Sequence, residues 1–163
     1  MGHGVKQRDI IKMSDDEIAA FLQEGRTMSF ATMNHDNTIH VVAMWYGFLE
    51  GAIAFETKAK SQKVLNLRRN NTITCMVEDG DKYEELRGVE LVGKVEIVEV
   101  DEPDRIFELG ISVFERYQGP YSEAMKPFVE VMLNKRVVVK VEVDRVVSWD
   151  HRKLGLPSTA PAE

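Results

Sequence analysis

Between positions 57 and 63 the chain reads Thr57-Lys58-Ala59-Lys60-Ser61-Gln62-Lys63. Two hydroxyls, one amide and three ammoniums in so short a stretch can hold an anion, phosphate above all. The residues before them, Ala52-Ile53-Ala54-Phe55, follow the turn at Glu50-Gly51 and have the small, β-branched or aromatic character of a strand. Beyond them, Val64 and Leu67 share one face of a helix that Ser61 can cap and Asn70-Asn71 ends. A strand that runs into a helix start presents free N–H groups and the positive end of the helix dipole. The junction reads as a phosphate cradle. The same residues also suit a solvated, lysine-rich helix start.

Two further stretches could carry chemistry. His40-Val41-Val42-Ala43-Met44-Trp45-Tyr46 has thin or flat residues in mid-strand, so its backbone could lie beside a planar ring; it is equally a core strand with two aromatics. Trp149-Asp150-His151-Arg152 could stack on a cofactor and pair with its phosphate or carboxylate, or be a solvated strand end. Lys82-Tyr83-Glu84-Glu85 reads as an exposed loop in which Tyr83 could gate a pocket. The four histidines show no metal-ligand spacing. Cys75 is the only cysteine, which excludes an internal disulfide, and its apolar setting suits a buried small hydrophobe. There is no nucleophile elbow, Walker motif or dinucleotide glycine fingerprint.

The elements that must position these groups follow from patterning. Ser14-Asp15-Asp16-Glu17 is a capping box that opens a helix ended by Gly25. Met28 to Met33, Thr38 to Phe48 and Ala52 to Thr57 read as a three-stranded antiparallel meander. Thr72 to Glu78 and Arg87 to Val100 are further strands. The second has a phase change near Ile97-Val98 that suggests a bulge, while Gly88 and Gly93 suit curvature or close backbone approach. Helical spacing from Ile106 to Tyr117 and from Met125 to Leu133 predicts two amphipathic helices, with Pro127 at the start of the second or at a kink. The apolar stripes of both suit core or dimer packing. Arg136 to Val143 alternates strongly, and Val146 to Trp149 extends it.

The 163 residues predict one domain, 1–163, with 1–12 and 153–163 as flexible tails. Six or seven antiparallel strands with three or four helices predict a mainly β fold, a small barrel flanked by helices. A net charge of -6 argues against duplex DNA as a partner. No signal peptide is visible, and the longest apolar run, Val41 to Leu49, is about half a membrane span. The expected home is the cytoplasm.

In order and spacing, from about Ser14 to Arg152, these motifs resemble the pyridoxamine-phosphate-oxidase-like, flavin-binding split-barrel family. The resemblance rests on His40 to Tyr46, on Phe55-Glu56-Thr57 with Ser61-Gln62-Lys63 and Asn66-Leu67-Arg68, on Arg87 to Val95, and on Trp149-Asp150. It implies a homodimeric split barrel whose tricyclic cofactor lies between protomers. Thr57, Ser61, Gln62 and Lys63 would hold its phosphate with Asn66 nearby, and Val42, Ala43, Met44 and Trp45 would line its ring. Trp149 and Arg152 would arrive from the second protomer. Gln62 stands where the oxidase of pyridoxine phosphate has an arginine, and that enzyme's Arg-rich end is missing here, which argues against vitamin B6 chemistry. Lys63-x-x-Asn66-Leu67-Arg68-Arg69 looks like the branch that uses the deazaflavin coenzyme F420, whose acidic tail Lys58, Lys60, Arg68 and Arg69 would suit. The implied activity is hydride transfer from that reduced coenzyme to an electron-poor double bond of a small molecule. Alternatives on the same fold are a flavin mononucleotide (FMN) oxidoreductase and a non-catalytic flavin, deazaflavin or haem carrier. No catalytic acid stands out; solvent, Tyr46 or His40 could protonate product.

Overall fold

Residues 6–157 are described by the structure, a computed structural model. The strands are β1 (Met28–Met33), β2 (Ile39–Met44), β3 (Gly47–Leu49), β4 (Ala52–Lys58), β5 (Thr72–Asp79), β6 (Arg87–Val98) and β7 (Arg136–Asp150). The helices are α1 (Gln7–Ile11), α2 (Asp15–Glu24), α3 (Gln62–Arg69), α4 (Pro103–Tyr117) and α5 (Lys126–Met132). Seven strands pair antiparallel in the order β2-β1-β5-β6-β7-β4-β3, and the sheet curls into a split barrel.

β4 is covered on both faces, by the barrel interior and by α4, and is buried almost throughout. Phe30, Phe55, Ile73, Leu91 and Val139 fill the barrel. On the other face, Leu49, Ala54, Val98 and Val138 meet Ile106, Leu109 and Val113 of α4. Each such side chain contributes about 1.5–3 kcal/mol by leaving water. The α4 stripe is therefore core. Pro127 stands in the first turn of α5, where its missing N–H is no loss.

The expected meander is not formed. β2 ends at Met44 and β3 starts at Gly47, and they lie on opposite edges of the sheet. Tyr46 explains the break. It is fully buried, with its hydroxyl 2.5 and 3.0 Å from the carbonyl oxygens of Leu22 and Gly25. Its backbone N–H donates to the Tyr117 hydroxyl at 3.1 Å. A buried tyrosine hydroxyl needs partners, and these draw the chain across the barrel.

The bulge also lies elsewhere than expected. Val92 faces Arg145 but Gly93 faces Val143, so the extra residue is Asp144 on β7. Gly93 is required there, since a Cβ would stand 2.0 Å from the Glu142 carbonyl oxygen.

The chain ends differ from the expectation of tails. Gln7–Ile11 is a helix, which brings the α-helices among the described residues to five, and His151–Leu154 is a short 3-10 turn. Lys153 ties the two regions, donating to the Lys12 carbonyl at 2.8 Å and to Glu17 at 2.6 Å. The expectation for 1–5 and 158–163 falls outside the described residues. Among the described residues no helix is long and apolar enough to cross a membrane.

Candidate cofactor site

The junction of β4 and α3 is built much as its sequence suggests. Thr57, the penultimate residue of β4, is 3% exposed and points its hydroxyl at the helix start. The Lys63 ammonium donates to that hydroxyl at 3.2 Å, and the Ser61 hydroxyl lies 3.4 Å from it. Ser61 occupies the N-cap position of α3, yet its side chain makes no capping hydrogen bond. The first N–H groups of the helix are thus left without a side-chain cap. Burial, and then repulsion from Arg136, hold Lys63 below the ordinary lysine range. A desolvated cation beside an uncapped helix start can bind an anion, and the donors present suit phosphate.

Asn66 sits behind this cradle, fully buried. Its amide nitrogen donates to the Thr32 hydroxyl at 3.1 Å and to Asn34 Oδ1 at 2.9 Å. Its oxygen accepts from Gln62 Nε2 at 2.9 Å and from Arg69 at 3.4 Å. All four of its hydrogen-bonding positions are taken. Asn66 orients Gln62 and pins α3 to β1, a positioning role that a lone polar helix residue does not reveal in sequence.

That pin sets the cradle beside β2. Thr32 pairs with His40, and from His40 to Met44 the strand runs about 13 Å. β2 is an edge strand. Val42 and Met44 are half-buried against the barrel core, whereas Ala43 is exposed. Trp45 is 50% exposed and stacks on Tyr117, with ring centroids 4.3 Å apart and planes at 4°. The wall from Val42 to Trp45 therefore runs along the sheet edge next to β1, the strand to which Asn66 ties the cradle. Tyr117 is a part of this wall that sequence reasoning missed, because its helical stripe reads as core.

Residues 14–150 match the family described as Pyridoxamine 5'-phosphate oxidase. The chain belongs to this family. A solved structure of a conserved hypothetical protein from Mycobacterium tuberculosis is 50% identical, covers 98% of each chain and superposes with a TM-score of 0.91. The F420H(2)-dependent biliverdin reductase of Mycobacterium tuberculosis (strain CDC 1551 / Oshkosh) is 26% identical over 138 residues, 83% of this chain and 88% of that protein. A solved F420 reductase is 28% identical, with a TM-score of 0.58 over 78% of this chain and 93% of that one. Haem-binding proteins share the fold at less than 25% identity, which speaks for the fold alone.

Within this member of the pyridoxamine 5'-phosphate oxidase family, Trp149 and Arg152 do not meet the cradle within the chain. Thr57 pairs with Val137 near the start of β7, and Trp149 lies about 40 Å further along that strand. Trp149 lies over Gly88, where an added Cβ would come within 2.0 Å of its ring. Arg152 holds Asp150 with two hydrogen bonds of 2.9 and 2.7 Å. Those bonds keep the Asp150 carboxyl below the usual range.

The other candidates fall as follows. Lys58 is exposed and donates to the Asn134 carbonyl at 3.4 Å. Arg68 is engaged by Glu99 at 2.8 Å, and Arg69 by the Met33 carbonyl at 2.6 Å. Tyr46 is turned inward, and burial pushes its hydroxyl up to about 12, which does not suit a proton donor to substrate. Cys75 is buried, which likewise raises its thiol to about 12. Among the described residues no group of His, Cys, Asp and Glu could hold a metal.

Proposed function

We propose that this protein is an oxidoreductase that binds the deazaflavin coenzyme F420 and passes hydride from its reduced form to an electron-poor small organic molecule. The observation that carries the reading is the half-buried Lys63, whose partner is a neutral hydroxyl at an uncapped helix start. Thr57, Ser61 and Lys63 would hold the phosphate, and Gln62 would be aimed by Asn66. Val42, Ala43, Met44 and Trp45 would flank the ring, with Tyr117 keeping Trp45 in place. The coenzyme supplies the hydride when bound. The chain supplies binding, orientation and exclusion of water. The F420-dependent relatives support the choice of coenzyme.

Two protomers would complete the site. The β2 edge exposes Ile39 and Val41 at 56% and 59%, apolar surface that a second copy would cover. That copy would bring its own Trp149 and Arg152. A lone buried thiol suits a reducing cytoplasm.

The test is a parallel fluorescence titration of cofactor-free protein with the deazaflavin coenzyme and with FMN, followed by turnover of conjugated substrates. Tighter binding of the deazaflavin with turnover is expected. Preference for FMN would move the protein to flavin chemistry, since the same cradle would take that phosphate. Tight binding without turnover across a broad panel would make it a carrier. Binding of neither would remove the reading.

A further inference from the structure

Met125, Phe128 and Val131 recur three residues apart across the turn before α5 and α5 itself, so they share one stripe. They are 39%, 55% and 76% exposed. The opposite side of α5 is already packed. Val129 is fully buried, and with Leu133 it closes on Gly110 of α4, where an added Cβ would stand 2.8 and 2.6 Å from their side chains. This short helix thus carries two apolar faces, of which one meets the core. Single exposed apolar residues are ordinary, whereas a contiguous stripe marks a contact surface.

The stripe continues into an aromatic cluster. Phe128 meets Phe114 edge-on with ring centres 5.8 Å apart, and Tyr121 meets Phe107 and Phe114 in the same way at 6.2 and 6.4 Å. The Tyr121 hydroxyl is buried without a partner. Carboxylates stand around this cluster. Glu115 accepts the Tyr121 N–H at 3.3 Å. Burial, and then the fields of Glu123 and Glu130, hold the Tyr121 hydroxyl above the ordinary tyrosine range. Among the described residues none of Glu115, Glu123 and Glu130 is in an ion pair, whereas Glu24, Glu50, Glu96, Glu99 and Glu102 are each held by an arginine. The Lys126 ammonium lies 5.8 Å from the centre of the Phe107 ring, so the cluster already takes a cation on one of its faces.

We infer that this face of α4 and α5 docks a basic amphipathic helix of another protein. Its apolar side would cover Met125, Phe128 and Val131, and its lysines or arginines would meet Glu115, Glu123 and Glu130. Charge decides the partner: uncompensated carboxylates beside an apolar stripe attract cations and repel nucleic acid and anionic lipid. The inference does not depend on the cofactor reading, because the stripe lies on α5 and the cradle at the start of α3.

The experiment is a titration of the isotope-labelled whole chain, followed by nuclear magnetic resonance. The probes are two synthetic helical peptides with the same leucine face, one with lysines on its polar side and the other with glutamates. The amide signals of Phe107, Tyr121, Phe128 and Val131 report the face, and those of Thr57 and Ser61 report the cradle. The lysine peptide is expected to move the first set and spare the second, with affinity falling several-fold as salt rises from about 0.05 to about 0.2 M. The glutamate peptide should bind at least about tenfold more weakly. Glu123→Lys together with Glu130→Lys should reverse that preference; both positions are exposed, so the fold is kept. Val131→Ser, at the most exposed point of the stripe, should weaken the lysine peptide about fivefold. Wild-type signals that stay in place, or that move only on other faces, would overturn the proposal. Equal affinity for the two peptides, or a lysine-peptide affinity that survives the charge reversal, would overturn it as well.

Discussion

The Lys63 ammonium donates to the Thr57 hydroxyl at 3.2 Å, and among the described residues no carboxylate pairs with it. A half-buried cation with a neutral partner gains far more from an arriving anion than a paired one does. Lys63→Ala is therefore expected to weaken binding of a phosphate-bearing cofactor by roughly 1.5–3 kcal/mol, the worth of a charged hydrogen bond. Fluorescence titration reads this directly. Unchanged affinity would take Lys63 out of the site.

The same lysine sets a pH dependence. Burial first, then Arg136, lower its pKa from 10.5. The folded protein thus holds this proton less well than the unfolded chain. The group costs stability at neutral pH, and the cost is relieved as pH rises from the lowered value through the ordinary 10.5. Anion affinity runs the other way and falls over that window. Lys63→Arg should flatten the fall, since guanidinium stays charged. The ratio of wild-type to variant affinity, followed from neutral pH to the ordinary lysine range, cancels any titration of the ligand itself; a constant ratio would contradict the assignment.

Asn66→Ala should destabilise the fold by about 1–3 kcal/mol, because Thr32, Asn34 and Gln62 lose a buried partner together. Urea unfolding measures the loss. Cofactor affinity should drop as well, through a loosened Gln62. A stability change within experimental error would mean that α3 is held by Val64 and Leu67 alone.

Gly88→Ala drives a methyl group into the Trp149 ring, and overpacking of this kind costs about 1–3 kcal/mol. In a Trp45→Phe background, Trp149 is the remaining tryptophan and reports its own displacement. Its emission should shift on substitution. An unmoved spectrum at unchanged stability would show that the β6–β7 pair yields instead.

The open β2 edge predicts a dimer by light scattering at micromolar concentration. Val41→Glu puts a charge on the exposed apolar surface and should give the monomer mass with the fold intact by circular dichroism. A wild-type monomer would require the ring wall to be completed within one chain.

How much of this is legible in sequence depends on how local the cause is. The cradle can be read from 52–71 because strand, N-cap position and helix are contiguous signals. The α4 stripe and the alternation of β7 are read for the same reason. The break at Trp45-Tyr46 is invisible, since its causes are the carbonyls of Leu22 and Gly25 and the hydroxyl of Tyr117. Arg136 is missed likewise: nothing before Val137 hints that Lys58 stands across from it. The bulge is misplaced because a hydrophobic phase change on β6 says nothing about an extra residue on its partner. Resemblance names Trp149 and Arg152, but they lie at and just past the far end of the strand that Arg136 begins.

The crossing at Tyr46 also bears on how the chain matures during synthesis. β3 and β4 are made early, yet Phe55 must wait for Val139 to find its neighbour. Until β7 leaves the ribosome, the β3–β4 hairpin has an unpaired apolar edge, and Thr57 and Lys63 are presented by a half-closed barrel. Pairings this distant in sequence close slowly. The proposed cofactor binding is thus a property of the finished chain: a nascent protein stalled before β7 would carry nearly every residue of the cradle and still lack the strand that holds it in shape.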